Sequence, residues 1–188
     1  MRKKTFLGIF FFISLFTYSQ NTIPVEIILK NNDTLIGEMK IRVNLFDKQL
    51  IYPTSFNEKV KFYNSVGEKT KIKSKEVSKL TFTDLKGKNR KFVKIKEFKN
   101  HLVELVYSNK VHWYKHYYYD SYNHTENTIE ELFDENGKQF SIGLFNSYRK
   151  KMRKFTKENS NLIEFISSND MKKDENILKA IKMYEKEI

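Results

Sequence analysis

His101, His112, His116 and His124, with the aromatic residues between them, are the side chains through which this sequence could do chemistry. The stretch HLVELVYSNKVHWYKHYYYDSYNH holds every histidine, the single tryptophan (Trp113) and six of the eleven tyrosines. His112 and His116 are four apart, the spacing by which two imidazoles share a zinc ion on a helix. The surrounding pattern reads as a strand, however, where four residues span about 13 Å at roughly 3.3 Å each, too far to share one ion. The histidines are therefore read as half-buried or surface groups, and the sequence calls for no metal and no cofactor.

The aromatic residues suggest binding rather than catalysis. On a strand from Val111, period two places Trp113, Tyr117 and Tyr119 on one face with Lys115, and His112, Tyr114, His116 and Tyr118 on the other. Flat rings with a polar tip suit sugars, peptides or a protein partner. Trp113, Tyr117, Tyr119, Tyr122 and His116 form the candidate ligand-binding set. Strands favour the same residue types for packing, so the set forms a binding surface only if it is exposed.

Two basic features offer a second chemistry. Phe145, Tyr148, Met152 and Phe155 repeat at helical spacing, with Arg149, Lys150, Lys151, Arg153 and Lys154 on the other side. A helix over Asn146–Lys157 can lie on an anionic membrane surface through these five cations, or dock its apolar stripe on a sheet. Lys69, Lys71, Lys73 and Lys75 fall on every second residue, which is either a strip for anions or a solvent face that discourages edge-to-edge pairing.

Catalytic residues are not expected. The chain has no G-x-S-x-G elbow, phosphate-binding glycine loop, H-E-x-x-H or EF-hand loop. It has no cysteine, which removes disulfides, thiolate nucleophiles and Cys-ligated metals.

Period-two segments predict strands over Ile23–Lys30, Leu35–Ile41, Gln49–Tyr52, Val60–Tyr63, Lys69–Lys73, Leu80–Thr83, Phe92–Phe98, Leu102–Tyr107, Val111–Tyr119, Ile129–Phe133 and Lys138–Ile142. Ser74 is expected to cap a single helical turn, and Asp120–Thr128 to form a loop. Asn161 with Glu164 resembles a capping box, and Asp174 can cap a last helix carrying Ile177, Leu178, Ile181 and Tyr184. The expected fold is α+β: a mainly antiparallel sheet or partly closed barrel, followed by a cap of two to three helices.

Arg2, Lys3 and Lys4 precede an apolar run from Phe6 to Phe16, and Thr17-Tyr18-Ser19 places small residues for cleavage after Ser19. The organisation read from sequence is a signal peptide over 1–19, a β-rich domain over 20–142 and a helical segment over 143–188. Net charge is +12, of which the first four residues supply +3. Such a balance favours anionic partners, and the expected export argues against nucleic acid among them.

The Ser19/Gln20 junction, the hairpin VEIILKNNDTLIGEMK, the segment KFYNSVGEKTKIKSKEVSKLTF and the turn ELFDENGKQF together resemble small exported β-rich proteins of Bacteroidota. That resemblance implies a periplasmic or outer-membrane-associated location and carries no catalytic residues. The expected role is a non-catalytic module binding another envelope protein or a cell-surface glycan. An unrecognised envelope hydrolase or a peripheral membrane-surface protein is the alternative.

Overall fold

The computed structural model describes residues 21–137, 139–142, 150 and 159–186. The expected signal peptide lies outside the described residues, as does the basic helix apart from Lys150, which is exposed. No helix among the described residues is long and apolar enough to cross a membrane.

The fold is α+β. Ten strands, β1 (Thr22–Leu29), β2 (Thr34–Lys40), β3 (Lys59–Tyr63), β4 (Lys69–Lys73), β5 (Val77–Thr83), β6 (Asn89–Val93), β7 (Val103–Ser108), β8 (His112–Asp120), β9 (Thr125–Phe133) and β10 (Gln139–Ile142), precede α1 (Ser160–Ser168) and α2 (Asp174–Glu185). The strands form one antiparallel sheet in the order β10-β9-β8-β7-β6-β5-β1-β2-β3-β4. It is an open sheet, with β4 and β10 as its edges, rather than a closed barrel. The chain first meanders from β1 to β4, then returns so that β5 pairs with the free side of β1.

Alternation puts the apolar residues on one inner face, where two cores lie side by side. Ile27, Met39, Leu80, Phe92 and Leu102 build the first, around Phe56 from the β2–β3 connection. The Phe56 ring meets Phe82 and Phe92 edge-on at 5.5 and 5.0 Å. The second joins Val111, Trp113 and Leu132 of the sheet region to Leu162 and Ile166 of α1 and to Ile177, Ala180 and Ile181 of α2. Helix α2 is also held by polar contacts near both ends. Lys115 reaches both carboxylate oxygens of Asp174 at 2.6 and 2.7 Å. The Glu185 carboxylate accepts from Val111 N, Tyr107 Oη and Asn109 Nδ2 at 2.8, 2.6 and 3.2 Å.

Several elements differ from expectation, each for a local reason. Gln49–Tyr52 forms only the isolated bridge Val43↔Ile51. There the Asn44 side chain accepts from Phe46 N and Asp47 N, and Asp47 accepts from Gln49 N, so side chains take the amides a ladder would need. The strand expected over Phe92–Phe98 ends at Val93, beyond which Lys94 Nζ donates to the carbonyls of Phe98 and His101. The expected loop Asp120–Thr128 shortens to residues 121–124, because Asp120 Oδ1 accepts from Tyr122 N and Asn123 N and closes the turn early. Ser74 donates to Asn100 O instead of capping its turn. Asn159, not Asn161, caps α1 by accepting from Leu162 N, and Asp174 lies inside α2 as the partner of Lys115.

Gly37 shows how tightly β2 and β3 meet. A Cβ built on it would stand 2.2 Å from Tyr63 O and 2.7 Å from the Phe62 ring. Since the nearest clash is with backbone, Gly37→Ala is expected to cost about 1–3 kcal/mol, the range for overpacking. Urea unfolding of the full chain measures it, and an unchanged midpoint would mean the two strands can part freely.

Candidate functional site: a basic cleft beside a buried charge band

Strand register lines up a polar row across the inner face, through the pairs Phe92↔Glu104, Glu104↔Lys115 and Lys115↔Glu130. This row divides the two cores. Arg90 donates from Nε and Nη2 to the two oxygens of Glu104, and the Tyr117 hydroxyl both donates to Glu104 Oε2 at 2.6 Å and accepts from Arg90 Nη2 at 2.9 Å. Burial pushes the Glu104 carboxyl up, but the Arg90 fork and the Tyr117 hydroxyl outweigh it and hold the group below its ordinary range. Burial, then the Glu104 charge, raises the Tyr117 phenol well above its usual value.

Beyond this cluster, Trp113 Nε1 donates to Glu130 Oε2, and Lys115 Nζ lies 3.7 Å from Glu130 Oε1. Burial pushes the Glu130 carboxyl from 4.5 to about 7 against the opposing effects of Lys115 and Trp113. The band's charged groups are thus partnered and mostly buried, and they tie neighbouring strands together.

The opposite, outer face of β8 carries the histidine ladder. His116 packs on Phe98 and His101, with ring centroids 4.3 and 5.3 Å away. Burial and then the His101 charge lower its pKa from 6.5 to about 4, which keeps the imidazole neutral. His112 and His116 therefore lie on the face of β8 opposite Glu104 and Glu130. Among the described residues no group of three or more His, Asp or Glu is placed to hold a metal ion.

The five residues singled out as a ligand surface are dispersed. Trp113 is fully buried under the helices. Tyr117 is half-buried and engaged with Arg90 and Glu104. His116 faces the other way. Tyr119 and Tyr122 are exposed, at 46% and 90%, at the far end of β8 and in the following turn.

Tyr119 opens onto a cleft of about 440 Å³ whose other walls are Lys40, Ile41, Arg42, Thr54, Ser55 and Lys61. The Arg42 guanidinium lies over two rings, 5.0 Å from the Tyr52 centroid and 5.8 Å from that of Tyr119. A 3-10 turn, Pro53–Ser55, begins where Pro53 cannot extend a strand. Its anchor is Glu126, which accepts from Thr54 N at 2.9 Å and ties the floor of the cleft to β9. Asn57 Nδ2 donates to Tyr117 O, fixing the same connection against β8. Three cations and an aromatic face thus line a concavity within the roughly 300–1,000 Å³ typical of small-ligand sites.

Arg42, Thr54 and Glu104 did not emerge from the sequence reading. Glu104 carries a signal in retrospect, because period two places it on the face of Leu102, which is fully buried. Arg42 carries none, since it sits in an irregular connection and meets Tyr119 only through the fold.

What the fold and cleft define is an open antiparallel sheet with a helical cap and a basic, aromatic-walled recess. No family model, curated protein or solved structure matches the chain.

Proposed function

We propose that this is an exported envelope protein that acts as a non-catalytic binding module, with a cell-surface glycan as the ligand of the Tyr119 cleft. The observation that carries the reading is Arg42, held over the Tyr52 and Tyr119 rings with its own side chain exposed. A planar cation beside an exposed ring gives a sugar a stacking face and a donor fork. The N-terminal basic and apolar sequence supports export, and the resemblance to exported Bacteroidota proteins supports an envelope location.

An array of defined neutral and acidic oligosaccharides, probed with the full chain, tests this reading. Arg42→Ala and Tyr119→Ala are each expected to weaken the best ligand at least about tenfold, the scale of a central arginine or aromatic contact. Leu85→Ala, in the β5–β6 turn, serves as the unaffected control. Equal binding by Arg42→Ala and the unsubstituted chain would remove the cleft from consideration.

A protein partner is the second reading, favoured by one loop. Leu45 and Phe46 are 88% and 100% exposed, yet Asn44 holds the loop through Phe46 N and Asp47 N, and Lys86 holds Asp47 at 3.0 Å. Cross-linking in the native envelope would favour this reading if a single protein were captured through the 44–50 segment.

A further inference from the structure

Strands β3 and β4 set lysines directly opposite one another. The register pairs Lys59↔Lys73 and Lys61↔Lys71, with Lys69 opposite Tyr63. All five lysines are exposed on the outer face, while Val60, Phe62 and Ile72 point into the core. No ion pair joins these lysines to an acid among the described residues. Like charges directly opposite on a sheet are destabilising.

Edge protection explains only part of this ladder. β4 is an edge strand, where lysines blunt pairing with another chain. β3 lies inside the strand order, covered along its length by β4 and meeting β2 through Phe62 and Tyr63, so Lys59 and Lys61 do not lie on the sheet's terminal edge. Lys61 also lines the Tyr119 cleft together with Lys40 and Arg42, which makes the ladder and the cleft one continuous basic surface.

We infer that this surface binds an acidic polysaccharide, one sugar seated in the cleft and the chain's carboxylates or sulfates running over the β3–β4 lysines. The inference rests on the binding-module reading and names the ligand class of the same site. Same-face lysines recur about every 6.6 Å along each strand, which gives an extended polyanion repeated contacts. The outer face of β3–β4 sets only Tyr63 among its lysines, without the apolar stripe that inserts into a lipid surface.

The test uses the full chain with polygalacturonate as the acidic probe and dextran as the neutral one, by calorimetry at low and at physiological salt. Binding of polygalacturonate but not dextran is expected, weakening with salt as screening requires. The K59Q/K69Q/K71Q/K73Q variant is expected to lose affinity at least about tenfold, on the basis of roughly fivefold per lysine against an anionic surface at low salt. The K172Q/K173Q/K182Q/K186Q variant removes equal charge at exposed sites of the helical cap and is expected at physiological salt to bind within about twofold of the unsubstituted chain, since charges beyond a Debye length are screened. Unfolding midpoints check that the ladder variant folds, and relief of like-charge opposition should leave its midpoint equal or higher.

Equal losses in the two variants would reduce the effect to net charge and overturn the inference. So would tighter binding to phosphatidylglycerol vesicles or to an oligonucleotide, or no binding of polygalacturonate at all. If the ladder variant binds normally while Arg42→Ala does not, the ladder falls and the cleft reading survives. If neither variant changes binding, both fall.

Discussion

Glu104→Ala is expected to destabilise the protein by about 3–5 kcal/mol, the range for breaking a buried ion pair from one side. The side chains of Arg90 and Glu104 retain only 10% and 3% of their exposure, so removing the carboxylate leaves a mostly buried guanidinium without its partner. The Tyr117 hydroxyl loses its acceptor at the same time. A domain of ordinary stability has about 5–15 kcal/mol in total, so the variant stands near the edge of folding. Glu104→Gln keeps an oxygen acceptor and should lose less. Arg90→Met combined with Glu104→Leu should recover much of the loss, because both charges then leave together. Urea unfolding of the four proteins decides the matter, and a loss below about 1 kcal/mol for Glu104→Ala would show that water reaches the pair. The carboxyl's lowered pKa sets the sign with pH: its contribution is full above the ordinary carboxylate value and disappears as pH falls through the folded value.

The position of Glu104 illustrates what sequence can and cannot reveal. Hairpins whose strands alternate cleanly and whose turns hold Asn, Asp or Gly were legible, as with β1–β2 around Asn32, whose φ is 69°, and β9–β10 around Asn136-Gly137. These depend on neighbours in the chain. Period two also assigned Trp113 and His116 to opposite faces, in agreement with the ladder between β8 and β9. It could not say which face would be covered. Trp113 is buried because α1 and α2 dock there, and that docking is secured by Lys115 with Asp174, fifty-nine residues apart.

The same limit applies to the cleft. Tyr119 was singled out as an aromatic residue on a strand, but its partners Arg42, Tyr52 and Thr54 come from a connection whose path is set by side chains capturing backbone amides. Neither hydrophobic period nor turn propensity encodes where such a connection comes to rest. The lysine ladder was half visible: the alternation of Lys69, Lys71 and Lys73 is local, whereas Lys59 and Lys61 join it only once the register of β3 and β4 is fixed.

Glu130→Gln is expected to stabilise the protein at pH 8 by about 2–3 kcal/mol and to leave it nearly unchanged at pH 5, from a shift of one pKa unit being worth about 1.4 kcal/mol. The Glu130 carboxyl is pushed by burial from 4.5 to about 7, so between these values the folded chain binds a proton that the unfolded chain releases. Its contribution is full below pH 4.5 and falls as pH rises through 7. Glutamine imitates the protonated form and keeps an oxygen for Trp113 Nε1. Lys115 retains Asp174, its closer partner. The profile of the unsubstituted chain alone does not isolate this group, because His116, lowered from 6.5 to about 4, adds stability as pH rises between those values. The difference between the two proteins does isolate it, since His116 is common to both. Urea midpoints at pH 5 and pH 8 supply that difference. A variant no more stable than the parent at pH 8 would show that Lys115 holds Glu130 as a carboxylate at no net cost. The divide between the two cores would then be a conventional ion-pair row rather than a band that is most stable when one of its acids is neutral.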